Sequence, residues 1–348
     1  MNAHAALEGT EQVLAELMKQ VNKKYGDMSL YYLGQAEPQP VTCIPTGSMF
    51  LDLAIGHGER FMGIPFGRIT EIWGPKECGK TTLCHHIIAN AQKLGYPTAF
   101  FDYEHSFDEV YAEAIGVDLN KLLFGQYTIL EDGWEVIEAL IRSVKNAVVV
   151  VDSVAMMVPR KETEGEMGDS HVGLQPRLLA QAMRRNVGAV REHNAALIIT
   201  NQVRHKIGGW GRSETQAGGE ALRHALSLQI NLWPSTIEKA GEDIVAREIK
   251  ADIVYSKIAK PHGSATYRLQ FGTGIDSSND LVELAPVYGV VGKRGSHYYY
   301  PPENESSLCN GAAKLREWLQ DNPEEAAAIR QAVVNAVNQQ AKEAQNDA

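Results

Sequence analysis

The stretch GPKECGKTT at residues 74–82 decides the fold of this chain. It fits the pattern GxxxxGK[ST], follows the apolar run RITEIW at 68–73, and precedes a helical pattern from Thr82 to about Leu94. Glycines let backbone N–H groups turn inward around phosphates, and the N-terminus of the following helix adds positive dipole. We therefore predict a phosphate-binding loop made of Gly74, Pro75, Lys76, Glu77, Cys78, Gly79, Lys80, Thr81 and Thr82.

Two loop residues and three later side chains point to ATP chemistry. Lys80 is placed to reach the outer phosphates, and the Thr81 hydroxyl is placed to ligate Mg²⁺. Asp152 ends the run VVVVD, where a carboxylate of the Mg²⁺ shell is expected. Glu104 is a candidate to orient and deprotonate a water, with a solvated loop acid as the alternative. Gln202 is a candidate sensor of the γ-phosphate, with an ordinary loop amide as the alternative.

Four short apolar runs each lead directly into polar residues. The runs are 68–73, 98–101, 148–151 and 197–200, and they precede the phosphate loop, DYEH, DS and NQ respectively. Such runs alternate with helical patterns, which indicates βαβ units and a mostly parallel sheet flanked by helices. Because ligands of open α/β sheets bind at the carboxyl ends of the strands, these polar groups are expected to meet at one site.

The chain of 348 residues is long enough for about two domains. Residues 5–24 repeat apolar side chains at helical spacing, and a polar, proline-containing stretch at 34–41 is typical of a linker. We therefore expect an N-terminal helical arm over 1–40, an α/β core over 41–280 and a small C-terminal domain over 281–348. Helices are predicted in the last domain at about 311–320 and 323–345.

The net charge of −10 argues against a simple nucleic-acid coat, yet residues 175–213 alone carry a net charge of +6. The basic window includes Arg177, Arg184 and Arg191, which recur every seven residues and so share one face of a predicted helix at 178–193. Two long, glycine-rich loops at about 161–177 and 202–219 accompany it. The pattern favours a site for a phosphate backbone, although a solvated charged stripe is the alternative.

Hydrophobic residues at 44% and charged residues at 22% are ordinary for a globular protein and exclude a disordered or fibrous chain. No apolar run approaches the roughly 20 residues that cross a membrane, and the N-terminus lacks the pattern of a secretory signal. The four cysteines form no CxxC pair, so reduced thiols in the cytoplasm are expected. For Cys78, beside a helix N-terminus, we hypothesise a lowered thiol pKa and loss of ATP binding on alkylation.

Several longer stretches resemble the bacterial type of the RecA family of ATP-dependent recombinases. They are IPTGSMFLDLAIG, GPKECGKTTL, DYEHSFDEVYAEAIGVDL, VVVVDSVA, EGEMGDSHVGLQPRLLAQAMR, TNQVRHKIGG and GGEALRHALS, in family order over roughly residues 5–330. The stretch EGEMGDSH is far more specific than the phosphate loop, because most proteins with such a loop lack it.

The resemblance implies a RecA-type core and a small α+β C-terminal domain. It also implies that the helix and strand of residues 1–40 form an oligomerisation arm that docks on the neighbouring subunit. It implies a helical filament on single-stranded DNA that pairs with a homologous duplex and exchanges strands, with repressor or mediator proteins as further partners. Glu104 is the implied catalytic glutamate, Asp108 and Tyr111 contact adenine, and Lys257 reaches the neighbouring subunit's nucleotide. The implied DNA-binding residues are Val172, Arg177, Arg184, Arg204, Lys206, Ile207, Gly218 and Gly219.

The chain also departs from the family pattern. Tyr255 stands where the family has a second lysine, His224 stands in place of an aromatic residue, and the C-terminal tail is only weakly acidic. Such departures are typical of a divergent or phage-encoded member. Two alternatives stay open: a hexameric helicase-like motor of the same fold, and a nucleotide-regulated DNA-binding filament protein with weak hydrolysis, which Tyr255 favours.

Overall fold

The computed structural model describes residues 3–26, 29–35, 41–58, 60, 62–166, 173–205, 214–216 and 219–346. The chain divides into two compact units, Met1–Val41 and Thr42–Ala348. None of the helices in these ranges is both long and apolar enough to cross a membrane.

The first unit is built on helix α1, Ala3–Tyr25, which matches the predicted N-terminal helix. The Asn22 side chain accepts a hydrogen bond from the Leu30 backbone and donates one back to it, so the chain after α1 folds against its end. Within the described part of this unit, a 3-10 turn at Leu33–Gln35 follows, and the expected strand is not found there. Residues 36–40 lie outside the described ranges.

The helices of the second unit are α2 (Met49–Ile55), α3 (Lys80–Lys93), α4 (Glu109–Ile115), α5 (Leu130–Ser143), α6 (Arg160–Glu164), α7 (Leu174–Glu192), α8 (Gly219–Ala225), α9 (Ser277–Val287), α10 (Ala312–Asp321) and α11 (Pro323–Asn346). Its strands are β1 (Cys43–Ile44), β2 (Ile64–Pro65), β3 (Arg68–Gly74), β4 (Thr98–Asp102), β5 (Leu122–Gln126), β6 (Val148–Asp152), β7 (Ala196–His205), β8 (Glu214–Gln216), β9 (Leu228–Ala240), β10 (Asp243–Ser256), β11 (Ser264–Gln270), β12 (Gly274–Ile275), β13 (Gly292–Arg294), β14 (His297–Tyr299) and β15 (Cys309–Asn310).

One large, mostly parallel sheet organises this unit, as predicted. Its order in the described residues is β12-β11-β10-β9-β3-β7-β6-β4-β5, and β8 pairs with the end of β7. The six strands from β9 to β5 are parallel, whereas β10, β11 and β12 extend the sheet in antiparallel fashion. The four strands expected to end at one site, β3, β7, β6 and β4, are neighbours in the sheet.

Both faces of the sheet are buried, which explains the continuous apolar runs of its central strands. Successive side chains of a strand point to opposite faces, so β6 divides its valines between two apolar clusters. Val148 and Val150 join the cluster that contains α3, and Val149 and Val151 join the cluster that contains α5 and α7. The carboxyl ends of the parallel strands therefore lie between two layers of helices.

The C-terminal part combines the antiparallel sheet β13-β14-β15 with α9, α10 and α11, in agreement with the expected α+β domain. Its apolar core includes Leu284, Tyr298, Leu315 and Ile329. Met49 of α2 belongs to the same cluster, so this core is continuous with the large unit. The two predicted helices occur at Ala312–Asp321 and Pro323–Asn346, with Pro323 at the first helical position.

The flanks of the two predicted loops are more regular than expected. Helix α6 occupies part of the first, and α7 begins four residues before the predicted start, so Arg177 lies in the helix. Gly173, at φ 76°, is the N-cap of α7, and the proline three residues later fits a first turn, where no N–H partner is needed. At the second loop, β7 continues to His205 and pairs with β8, Arg204 standing opposite Thr215.

Candidate functional site

The phosphate loop has the backbone geometry that its glycines predict. Gly79 has φ 84° and caps α3, and a Cβ atom added to it would lie 2.7 Å from Leu269 Cδ1. A Cβ atom on Gly74 would lie 2.3 Å from the carbonyl oxygen of Leu232. A side chain is therefore disfavoured at Gly79 by the backbone conformation, and it is excluded at Gly74 by the close approach of the Leu232 backbone.

Lys80 is folded onto this loop. Its side chain is only 8% exposed, and its Nζ donates hydrogen bonds to the carbonyl oxygens of Pro75, at 2.7 Å, and Gly74, at 3.3 Å. The ammonium is thus kept at the loop by neutral acceptors. A phosphate group that entered the loop would offer the same ammonium stronger, charged acceptors.

Asp152 and Thr81 meet at the end of β6. Thr81 Oγ1 donates to Asp152 Oδ2 at 2.6 Å, and Thr200 Oγ1 donates to Asp152 Oδ1 at 2.5 Å. Burial raises the pKa of Asp152, while the two hydroxyl donors oppose this shift. A hydroxyl beside a carboxylate suits Mg²⁺, which binds few protein oxygens and keeps water and phosphate ligands, so these residues fit that ion.

Glu104 and Gln202 are in direct contact. Glu104 Oε1 accepts hydrogen bonds from Gln202 Nε2 at 2.8 Å and from Ser153 Oγ at 2.6 Å. The loop that carries Glu104 is held by Asp102, whose Oδ1 accepts from the Glu104 N–H at 3.0 Å. The carboxylate of Glu104 therefore has a fixed position beside an amide that is itself placed by a different strand.

A cleft of about 450 Å³ brings these groups together. It is lined by Lys76, Glu77, Cys78, Gly79, Lys80, Thr81, Thr82, Glu104, Asp152, Met156 and Gln202. The structure thus assembles most of the sequence-predicted nucleotide residues in one place. Three further polar residues, Asp102, Ser153 and Thr200, hold the predicted ones. The sequence placed Asp102 and Ser153 among the polar groups at strand ends without giving either a role, and it counted Thr200 in the apolar run 197–200.

Asp108 and Tyr111 lie beside this cleft, on the start of α4. Asp108 caps the helix, since its Oδ1 accepts from the Tyr111 N–H at 2.9 Å. The Tyr111 hydroxyl is hydrogen-bonded to Thr82 Oγ1 at 3.1 Å, which ties its ring to the first turn of α3. Partial burial raises the pKa of Tyr111, so the hydroxyl stays protonated and available as a donor.

Lys257 lies away from the cleft of its own chain. Its Nζ donates to the His224 carbonyl oxygen at 3.3 Å and is 5.7 Å from the centroid of the Tyr255 ring. Lys257 lines a separate cavity of about 260 Å³ with Arg68 and Ile69, which begin β3, whereas the phosphate loop follows the end of that strand.

The environment of Cys78 differs from the expectation. Burial raises the pKa of the Cys78 thiol, and the charge of Lys80 opposes that shift without reversing it. The side chain is fully buried, so the thiol is protonated and shielded. Proximity to a helix N-terminus did not outweigh desolvation here, and the hypothesis of a lowered pKa was wrong.

The three arginines that the seven-residue spacing placed on one helical face, Arg177, Arg184 and Arg191, lie in α7. Arg177, Arg184 and Arg191 are exposed and take part in none of the ion pairs between described residues. Arg185, next along the helix, is instead paired with Glu138 at 2.8 Å. Of the other predicted DNA-binding residues, Gly219 begins α8 and Arg204 lies in β7, although its side chain is outside the described part. Val172, Lys206, Ile207 and Gly218 lie outside the described residues.

Gln175 is a residue of α7 that the sequence did not single out. It lies in the first turn of α7, and its Nε2 donates to the Met157 carbonyl oxygen at 2.8 Å and to that of Val154 at 3.3 Å. These carbonyl groups follow β6, which ends at Asp152. The base of the first glycine-rich loop is thereby attached to the strand that ends at the nucleotide cleft.

Comparisons with known proteins agree with this geometry. The RecA N-terminal domain model matches residues 12–276, and the RecA C-terminal domain model matches residues 279–338. The chain is 40% identical to a protein named Protein RecA from Symbiobacterium thermophilum over 338 residues, which is 96% of this chain and 95% of that protein. It is 42% identical to Protein RecA of Thermotoga maritima over 327 residues, 93% of this chain and 91% of that protein.

The helicase-like alternative is not favoured, because both RecA models match and together span most of the chain. The cleft at the carboxyl ends of β3, β4, β6 and β7 and the match to both domains lead to one conclusion: the chain belongs to the RecA family, and it is a DNA-dependent ATPase and recombinase.

Proposed function

We propose that the cleft binds ATP with Mg²⁺ and hydrolyses it. The observation that carries this proposal is the meeting of the Lys80 ammonium, the Asp152 carboxylate and the hydrogen-bonded pair of Glu104 and Gln202 in one cleft. Gly74 to Thr82 would wrap the phosphates with backbone N–H groups. Asp108 and Tyr111 would lie against the adenine, with the Tyr111 ring stacked on the base.

In the proposed mechanism, Glu104 accepts the proton of a water that attacks the γ-phosphate. Ser153 and Gln202 keep its carboxylate in one orientation, and Lys80 leaves the loop carbonyl groups to neutralise the phosphate oxygens. Thr81 and Asp152 would hold Mg²⁺, which supplies charge neutralisation on the phosphates. Gln202 would also report the γ-phosphate to the second glycine-rich loop, because it lies on the strand that leads into that loop.

The proposed DNA site is the basic face of α7 with the two loops beside it. Arg177, Arg184, Arg204 and Lys206 would contact phosphates, and these contacts position the strand without reading its sequence. Val172 and Ile207 would insert between bases, while Gly218 and Gly219 would let the backbone approach the strand. The exposed charges of Arg177 and Arg184 on one helical face support this role.

The proposed assembly is a helical filament on single-stranded DNA, in which the arm of residues 1–40 contacts the neighbouring copy. The apolar side chains Val13, Leu14 and Leu17 of α1 are exposed within one chain, which suits such a contact. Lys257 would act on the neighbour's nucleotide. In the filament, the core of 41–280 and the domain of 281–348 would bind a homologous duplex for strand exchange. The protein would work in the cytoplasm, with repressor or mediator proteins as further partners.

Replacing Glu104 with glutamine tests the catalytic assignment. Glu104→Gln should lower the rate of DNA-stimulated phosphate release by about 10² to 10⁴, because it removes the proton acceptor, and it should leave ATP binding intact. Negative-stain microscopy with ATP and single-stranded DNA should show filaments for the unaltered chain and for the variant. Unchanged hydrolysis by Glu104→Gln would refute the role of Glu104, and closed rings would refute the filament.

A further inference from the structure

Glu71 is a buried carboxylate that the proposed hydrolysis does not use. It lies in the middle of β3 and is 0% exposed. Strand β3 runs between β7 and β9, and Glu71 stands opposite Ile199 on one side and Gln229 on the other. A carboxylate without access to water depends on hydrogen bonds from its neighbours, so the identity of those neighbours decides what Glu71 holds in place.

Both oxygens of Glu71 accept a hydrogen bond from a side-chain amide. Oε1 accepts from Asn201 Nδ2 at 2.8 Å, and Oε2 accepts from Gln229 Nε2 at 2.5 Å. Burial raises the pKa of Glu71, while the two amides and the charge of Arg223 oppose that shift. The carboxylate thus fixes one amide on each of the two strands that flank β3.

The Asn201 amide connects Glu71 to the proposed catalytic pair. Its Oδ1 accepts from the backbone N–H of Gln202 at 2.9 Å, and Gln202 Nε2 donates to Glu104 Oε1 at 2.8 Å. An amide has a donor end and an acceptor end. Because Glu71 can only accept when ionised, it selects the orientation of Asn201 in which the oxygen faces Gln202.

We propose that Glu71 is a positioning residue for ATP hydrolysis: through Asn201, it holds the Gln202 amide against the Glu104 carboxylate. The proposal rests on the proposed roles of Glu104 and Gln202. If Asn201 turned over, its NH₂ group would face the Gln202 N–H, and buried donors would be left unpaired. Glu71 prevents this turn of Asn201. Because Glu71 lies on β3, the strand that leads into the phosphate loop, it keeps the pair of Glu104 and Gln202 in a fixed position relative to that loop.

An exchange of the carboxylate and the amide tests this role. Asn201→Asp places two carboxylates in contact and removes the donor to Glu71. Adding Glu71→Gln restores the three hydrogen bonds described above, because the new amide donates to the new carboxylate and accepts from Gln229. The new carboxylate also keeps an acceptor for the Gln202 N–H. The two-residue variant also keeps the total charge of the pair.

The readouts are the kcat of DNA-dependent ATP hydrolysis, the affinity for the slowly hydrolysed analogue ATPγS, and thermal unfolding. Asn201→Asp should lower kcat by about tenfold or more, because a small displacement of a catalytic group has effects of that order, while ATPγS affinity should change by no more than about twofold. The variant with both substitutions should recover kcat to within about threefold of the unaltered chain. Asn201→Ala, which adds no charge, replaces Asn201→Asp in the experiment if the latter folds poorly. It should likewise lower kcat while changing the affinity for ATPγS little.

A variant with both substitutions that stays as slow as Asn201→Asp would overturn the proposal. So would single variants in which kcat and ATPγS affinity fall together, because that result marks a general packing role for Glu71. Failure of the proposed function is a separate outcome, since it would appear as an unaltered chain that hydrolyses no ATP with DNA present.

Discussion

Asp280→Asn should remove a loss of stability that the unaltered chain suffers as the pH rises. Asp280 lies in α9, is fully buried, and its Oδ2 accepts a hydrogen bond from the Ser48 hydroxyl at 2.7 Å. Burial raises the pKa of Asp280 from 3.8 to about 7, although the Ser48 hydroxyl and the charge of Arg330 oppose this shift. The folded chain therefore keeps a proton that the unfolded chain has already released over that range of pH.

The sign and size of the effect follow from this pKa. A carboxyl group whose folded pKa is raised contributes its full stability below its unfolded pKa, and that contribution is lost as the pH rises through the folded pKa. About two pH units lie between pH 5 and the folded pKa of about 7. At about 1.4 kcal/mol per pKa unit, Asp280 alone should therefore lower the free energy of unfolding by about 3 kcal/mol between about pH 5 and about pH 8. Asparagine keeps an oxygen for the Ser48 hydroxyl and has no proton to release in this range.

Urea unfolding at the two pH values, followed by circular dichroism, measures the effect. The fall in the free energy of unfolding should be smaller in Asp280→Asn than in the unaltered chain by about 3 kcal/mol. Glu283, exposed on the same helix, supplies the control, because Glu283→Gln should show the same fall as the unaltered chain. An Asp280→Asn variant that loses as much stability as the unaltered chain would refute the reasoning.

Arg184→Ala should weaken binding of labelled single-stranded DNA and reduce the salt slope by about one, whereas Arg185→Ala should change neither by much, because Arg185 already pairs with Glu138; equal effects in an anisotropy titration would contradict this. Gln175→Ala should weaken the same binding without altering ATPγS affinity, since it frees the start of α7 from the chain after β6, and unchanged DNA affinity would count against that role. Cys78 should react with iodoacetamide at least about tenfold more slowly than a free thiol, because it is buried and its pKa is raised, and rapid labelling detected by mass spectrometry would argue otherwise.

The sequence predicted those parts of the site whose chemistry is local. The phosphate loop can be recognised from local sequence because a strand, a glycine-rich turn and a helix follow each other within a few residues. The roles of Asp152 and Gln202 could be predicted because each residue comes after a run of continuous apolar residues. Parallel strands bring their carboxyl ends to one edge of the sheet, so the two side chains were expected to meet. The order of the strands in the sheet was not needed for that prediction, only their common direction.

The remaining parts depend on contacts between residues far apart in sequence. Glu71 reads as an ordinary charged residue in a strand, and only the pairing of β3 with β7 and β9 reveals that two amides meet it. Cys78 was judged from its neighbours in sequence, whereas its thiol pKa is set by burial under the whole fold. The start of α7 was predicted four residues too late because the first glycine-rich loop was taken to run to residue 177. Pro176 lies inside the observed helix, where proline fits a first turn.

The position of Lys257 bears on the proposed contact between copies. Its backbone N–H donates to Ser227, whose own N–H donates to the Ile69 carbonyl oxygen, so Lys257 is fixed at the start of β3. From Ile69 to Gly74 the strand advances about 16 Å, at about 3.3 Å per residue, which is farther than a lysine side chain extends. Lys257 therefore cannot reach the nucleotide cleft of its own chain, and any nucleotide that it contacts is bound to another copy. Such a contact joins the start of β3 in one copy to the end of β3 in another. It therefore uses two different surfaces and is head-to-tail, and head-to-tail contacts build either rings or open helices. The position of β3 thus supports the proposal that Lys257 acts across a contact between copies.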